Sequence, residues 1–314
     1  AYLRAHYPAE FMAAVLSNRG GFYDACGYVE EARRMGLAIL LPHVNHSACA
    51  FTAVAGGDPQ RRDGLRVGLS QVKGLSRRAI ESILENRRQG SYTSLRDFMD
   101  RVDIDASEVD SLIRCGALDG LGSSRPNLLW GAARYGKPKH QRLASQQKWI
   151  AAMAPADGPV LPEFAEYDCR EKVMAELECL DIAVSDHLLS LYDIERKDRI
   201  HARAIPGHSG RLITLAGWLV NSKRTRTVNN QFMKFLMLED ATDTFEVTLF
   251  PGVYKRFGPL LFDRGPYWVR GRVEQEGQCF TVTALWLGRV KSHQTGARHS
   301  GPSFRGELTF SETS

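Results

Sequence analysis

Two clusters of side chains in this sequence carry donors that could do chemistry. His43, His46 and Cys49 in "HVNHSAC" offer imidazole and thiol groups at spacings that could serve a metal. Asp100, Asp103, Asp105, Glu108 and Asp110 in "DRVDIDASEVD" gather carboxylates, and a D-x-D pair is what two-metal phosphoryl transfer uses. Neither set is complete. The first has no evident fourth ligand and sits on a Pro and Asn turn; the second lies between two short helical patterns, where Asp105 and Ser107 are placed to cap. Both read as turns, so no catalytic residue and no metal ligand is assigned. The sequence holds no G-x-S-x-G, P-loop or G-x-G-x-x-G.

Two further stretches suit an anionic partner. In "VKGLSRRAI" Gly74 makes a tight connection just ahead of a helix, so backbone N–H groups and the helix dipole can face a phosphate oxygen, with Lys73, Ser76, Arg77 and Arg78 around them. That is the logic of a helix-hairpin-helix, which holds the backbone of duplex DNA without reading bases. The equal alternative is an ordinary helix N-cap by Ser76, which stands where such hairpins have a second glycine. The other stretch is "NSKRTRTVNNQ", read as a loop carrying Lys223, Arg224 and Arg226 with no acid. With Phe232 and Lys234 just beyond it and an outward-facing Trp218 before it, this region could neutralise phosphates and stack bases of a single strand. Here the even alternative is a solvated hairpin loop and a surface Trp.

Those residues need elements to position them. Five strands are predicted, over Leu212 to Val220, Phe232 to Leu238, Phe245 to Phe250, Tyr267 to Val273 and Cys279 to Leu287, with an amphipathic stretch from Gly252 to Phe262 after the third. Three strands, a helix and two strands is the order of the OB-fold barrel. Glu239 and Asp240 fall in a tight turn and receive no catalytic part. Upstream the texture is helical: Tyr2 to Leu16, Phe22 to Met35, a helix carrying Ala79, Ile80, Ile83 and Leu84 on one face, a pair near Leu95 to Met99 and Glu108 to Ile113, and a last helix from about Arg170 to Leu180. From about Tyr135 to Tyr167 no period is sustained, which predicts a linker.

Composition sets the outer bounds. With 314 residues, 43% hydrophobic and 25% charged, the chain can build two or three cores. Its longest apolar runs fall far short of the roughly 20 residues a bilayer span needs, so no membrane contact and a cytoplasmic location are expected. Six cysteines without a C-x-x-C pair suit reduced, mostly buried thiols. A net charge of +5 permits an anionic partner without demanding one.

Five blocks, "AYLRAHYPAEFMAAVLSN", "EARRMGLAILLPHVNHS", "GLSQVKGLSRRAIESILENRRQGSYTSLRDF", "LIRCGALDGLG" and "MKFLMLEDATDTFEVTLFPGVY", resemble in that order the C-terminal half of the bacterial DNA polymerase III alpha subunit and its error-prone relatives. The resemblance implies a multidomain α+β chain: a helical fingers-like segment over 1–64, a tandem helix-hairpin-helix over 65–134, a linker with connecting helices over 135–210 and an OB-fold over 211–290; beyond it a disordered tail is expected over 291–314. It implies a role in DNA replication or translesion synthesis, with duplex and single-stranded DNA as partners. The sliding clamp and other holoenzyme subunits are further partners it suggests. The family's nucleotidyl transfer uses Mg on carboxylates of a palm that lies N-terminal to these blocks. A C-terminal fragment with no cofactor and no polymerase activity of its own is therefore expected.

Departures from the family pattern are local. Pro42, His43, Val44 and Asn45 replace a Pro-Asp-Val-Asn turn, Leu188 stands where the family often has the proline of Gly-His-Pro, and "QQKWIAAM" is at best a degenerate clamp-binding peptide, read as a plain linker helix. Two alternatives accompany this reading: a stand-alone OB module resembling a tRNA anticodon-binding domain, and a structural remnant without function.

Overall fold

The computed structural model describes residues 2–18, 25–55, 63–135 and 164–292. The linker peptide "QQKWIAAM" and the tail beyond 292 lie outside the described residues. Among the described residues no helix is long and apolar enough to cross a membrane.

The N-terminal helical pattern resolves into α1 (Tyr2–His6), α2 (Pro8–Asn18) and α3 (Ala25–Arg34). In α2 the buried residues Ala9, Met12, Ala13 and Leu16 recur at i, i+3, i+4 and i+7, one stripe of a 3.6-residue period. The segment that follows α3 begins a small sheet: β1 (Ala38–Leu40) pairs in parallel with β3 (Gly64–Arg66), and β2 (Thr52–Val54) flanks β3 on the other side. The tandem hairpin region follows as α4 (Arg77–Arg87), α5 (Leu95–Arg101), α6 (Ala106–Arg114) and α7 (Arg125–Tyr135). Helix α7 carries no marked amphipathic pattern, which is why no helix was expected there.

One apolar core joins these pieces, with Met12, Leu37, Leu65, Ile83, Phe98, Leu112 and Leu180 all inside it. The expected division at residue 64 therefore does not separate two cores: β3 spans it, and Leu65 is fully buried. Helix α8 (Cys169–Leu180) returns to the same body, started by a capping box of Asp168 with Glu171 and stopped at Asp181, whose φ of 57° is left-handed.

The second body is a closed barrel of β4 (Leu212–Arg226), β5 (Phe232–Glu239), β6 (Thr244–Leu249), β7 (Tyr267–Glu276) and β8 (Cys279–Arg289), in the order β4-β5-β6-β8-β7. Helix α9 (Pro251–Phe257) makes the crossover between β6 and β7, and β6 pairs in parallel with β8. This strand order with a helix after the third strand is the OB-fold, and its interior is filled by Leu215, Leu236, Leu238, Val247, Leu249, Val269 and Val282. At Gly271 the barrel turns sharply beside a bulge, and an added Cβ would lie 2.5 Å from the Thr283 carbonyl oxygen, so only glycine fits.

The two bodies meet at a packed seam. Arg34 of α3 holds Glu239, the last residue of β5, at 2.8 Å. Beside that pair, Val173, Leu177, Leu188 and Leu191 form an apolar cluster into which Cys26 and Trp218 also pack.

Candidate nucleic-acid interface

The basic stretch expected to be a loop is largely strand. β4 continues through Arg226, pairing Lys223 with Phe235, Arg224 with Lys234 and Arg226 with Phe232, and only residues 227–231 form the connection. Asn230 takes the left-handed position (φ 59°), and the Thr227 amide donates to the Gln231 carbonyl at 2.9 Å, closing a short bulged turn. The strand was hidden because its tip shows no apolar alternation, neither face there being covered by a core.

Register then sorts the cations by face. Residues directly opposite in an antiparallel pair share a side, so Arg224, Arg226, Phe232 and Lys234 lie together, and Lys223 lies on the other face. The shared face continues that of the interior residues Leu236 and Leu238, so the barrel lining emerges at the rim as a cationic shelf. The Arg224 and Arg226 guanidinium carbons stand 4.8 Å and 4.6 Å from the centroid of the Phe232 ring, which is 42% exposed. Arg226 also donates to Asn230 Oδ1 at 2.7 Å, fixing its direction. Burial, aided by the charge of Arg224, lowers the Lys234 pKa. Among the described residues none of Lys223, Arg224, Arg226 and Lys234 has an ion-pair partner.

Trp218 does not join this shelf. Its ring is half-buried in the seam with α8 and the turn Leu188–Leu191, with the Tyr192 ring 6.0 Å away, which corrects the expectation of a free stacking platform. Strand alternation placed it outside the barrel correctly, but a neighbouring layer covers that outside.

The first hairpin is also partly committed. Gly74 has φ +75°, with nothing within 4 Å of an added Cβ, so the turn needs glycine for its backbone and not for space. Ser76 caps α4 by accepting from the Ala79 amide. The Lys73 amide donates to Cys179 O at 2.8 Å, and its Nζ pairs with Asp181 at 2.5 Å, so Lys73 staples the hairpin to the end of α8. The Ser76 amide donates to buried Glu108, and the Leu75 amide to Val72 O, leaving the Gly74 amide as the hairpin's open donor among the described residues. Arg77 is almost fully exposed and pairs with Glu81 along its own helix; Arg78 stands near Asp103 and Asp105 at 3.5 Å and 3.4 Å.

The acidic cluster is used structurally: Asp105 and Glu108 form a capping box for α6, and the remaining carboxylates of Asp100 and Asp110 pair with Arg96 and Arg114. In the Pro and Asn turn, His43 Nδ1 accepts from the Asn45 amide and Nε2 contacts Asp119 O, while the Asn45 amide group brackets Tyr92. Both His43 nitrogens are thus occupied, and among the described residues no group of three metal-ligating side chains converges. Asp240 organises its turn by accepting from Thr242 and Asp243 amides.

One structural residue escaped sequence reasoning. Arg125, only 1% exposed, forks onto Asp119 at 3.0 Å and 2.8 Å and donates to Arg114 O, closing the second hairpin around Gly116. No local signal marks a buried arginine six residues from its carboxylate.

A family model described as the helix-hairpin-helix motif matches residues 36–128. An error-prone DNA polymerase of Symbiobacterium thermophilum is 29% identical over 322 residues, covering 90% of this chain and 30% of that protein. A DNA polymerase III subunit alpha of Thermus aquaticus is 31% identical over 308 residues, covering 91% of this chain and 24% of that protein. The chain thus spans less than a third of the length of these curated relatives. Among solved structures, the second OB-fold domain of replication protein A from Methanococcus maripaludis aligns at 16% identity with a TM-score of 0.22, covering 28% of this chain and 91% of that one. The assignment of the barrel rests on its own strand order.

Proposed function

This chain is homologous to the C-terminal region of DNA polymerase III alpha subunits and error-prone DNA polymerases, and from that premise we propose that it is the part of such a polymerase that holds nucleic acid. The barrel shelf takes a single strand, and the first hairpin takes duplex backbone. The observation that carries the single-strand reading is the pair of guanidinium groups on the Phe232 ring beside Lys234. Four groups on one face then combine phosphate neutralisation with a flat ring for a base, the pairing that sequence-tolerant single-strand binders use. The cations lack carboxylate partners among the described residues, so an incoming phosphate displaces no ion pair there.

The duplex reading rests on the open Gly74 amide, the amide-rich start of α4 and exposed Arg77. Lys73, paired with exposed Asp181, joins it by exchanging that ion pair for a phosphate. Contacts of this kind go to phosphate oxygens and confer no base preference. Association with a sliding clamp or other polymerase subunits, and cytoplasmic action in replication or translesion synthesis, belong to the same proposal. Mg-dependent nucleotidyl transfer would require carboxylates outside this chain.

Fluorescence anisotropy of a labelled single strand across a salt series tests the shelf. Replacing Arg224 and Arg226 together by Ser should weaken binding and reduce the slope of log affinity on log salt by about 0.7 for each phosphate no longer neutralised. An unchanged affinity and slope in the folded double variant would leave the hairpin tip as structure only.

A further inference from the structure

The segment between the seam and the barrel builds a second cationic site. It is pinned at both ends: Tyr192 bridges to Ser292, while Arg199 bridges to Thr214, and the Ile200 amide donates to the Thr214 carbonyl at 2.9 Å. Along and just past this segment Ile194, Glu195, Arg196, Lys197, Arg199 and His201 line an open cleft of about 470 Å³. That volume is in the range of small-ligand pockets.

Among the lining residues the cations Arg196, Lys197 and Arg199 outnumber the one carboxylate, Glu195, and the cleft is short of negative charge. Arg199 is 12% exposed, its Nε is buried without a hydrogen-bond partner among the described residues, and its nearest carboxylate oxygen, on Asp240, stands 4.0 Å away. That Asp240 oxygen is already engaged by the Ala202 amide at 2.8 Å. Lys197 is exposed and has no ion-pair partner among the described residues. Arg196, held by Asp198 at 3.0 Å, lies 5.2 Å over the Trp268 ring, which fixes it at the cleft. Burial lowers the Arg199 pKa, opposed by Asp240, as expected for a guanidinium short of counter-charge.

We propose that this cleft is a phosphate-binding site, separate from the shelf, with Arg199, Lys197 and His201 as its donors. Phosphate is favoured over carboxylate because the donors approach from several positions along the segment, and a tetrahedral anion presents more oxygens than a planar one. The open cleft has room beyond a bare ion, enough for a sugar or a second phosphate. The site lies beside Thr214, at the opposite end of β4 from Arg224, roughly 30 Å along the strand. It goes beyond the shelf reading and stands or falls without it.

The test uses the full chain, with inorganic pyrophosphate followed by calorimetry and a labelled oligothymidylate of about 16 nucleotides followed by anisotropy. Wild type should bind pyrophosphate at one site. Lys197→Glu, on an exposed side chain, should weaken it roughly tenfold, and Arg199→Gln should weaken it further. The Arg224→Ser, Arg226→Ser variant should leave pyrophosphate binding intact, which separates this site from the shelf. If Lys197→Glu also weakens the oligonucleotide, with a slope lower by about 0.7, the phosphate comes from a nucleic-acid backbone. If it weakens pyrophosphate alone, the phosphate comes from a free nucleotide or ion. No pyrophosphate binding by wild type, or equal binding by wild type and Lys197→Glu, overturns the proposal whether or not Arg199→Gln folds.

Discussion

Glu30 Oε2 and His187 Nε2 stand 4.0 Å apart, both side chains buried, where α3 meets the turn into the barrel. Among the described residues neither Glu30 Oε1 nor His187 Nε2 has a hydrogen-bond partner. Burial raises the Glu30 pKa to about 7, against the opposing charge of Arg33, and burial together with Arg33 lowers that of His187 to about 4. At neutral pH the contact is therefore not an ion pair.

The pair predicts a pH profile. A raised carboxylate pKa stabilises the fold when protonated, and that contribution is lost as pH rises from the unfolded value of 4.5 through about 7. A lowered histidine pKa acts oppositely: its contribution is full above 6.5 and lost as pH falls through about 4. Between about 4.5 and 6.5 folding moves one proton from His187 to Glu30, and the two effects cancel. Wild-type stability, measured by urea denaturation, should be nearly flat from this pair across that window. Glu30→Gln should expose the histidine limb, losing on the order of 1.4 kcal/mol per pH unit on acidification below about 6.5. A Glu30→Gln profile parallel to wild type would contradict the assignment.

On the shelf, the ring and the lysine should fail differently. Phe232→Ala should cost roughly 1–3 kcal/mol of single-strand affinity with little change in salt slope, because stacking releases no counterion. Lys234→Ala should lower the slope. Anisotropy titrations at several salt concentrations separate the two, and a slope change in Phe232→Ala would show that the ring serves only to position Arg224 and Arg226.

At the first hairpin, Gly74→Val places a β-branched residue at φ +75° and should weaken duplex binding by distorting the turn. Gly74→Asn should recover much of the loss, since Asn tolerates the left-handed region and the space around an added Cβ is open. Duplex affinity that survives Gly74→Val in a folded protein would remove the hairpin from the interface.

Trp218→Ala should destabilise the chain by about 2–3 kcal/mol, short of the cost for a fully buried tryptophan, and leave single-strand affinity unchanged. Thermal unfolding and anisotropy on the same sample check both halves. A loss of affinity without a loss of stability would restore the ring to the binding surface.

The sequence alone determined the succession of three strands, a helix and two strands and the capping of α4 and α6, because these depend on periodicity and on contacts a few residues long. It carried the cations of the hairpin tip but not their strand, since a two-residue period is visible only where one face is apolar. The tertiary structure decided what covers each face. Alternation points Trp218 away from the barrel interior, and only the packing of α8 and Leu188 shows that this outside is a buried seam. Lys73 reads as a free cation until Asp181, more than a hundred positions later, meets its Nζ. The cleft at Arg199 is likewise silent in sequence: a run of Glu, Arg and Lys looks like solvated surface, and the buried, unpartnered Arg199 Nε appears only once the segment is bridged to Thr214 of β4.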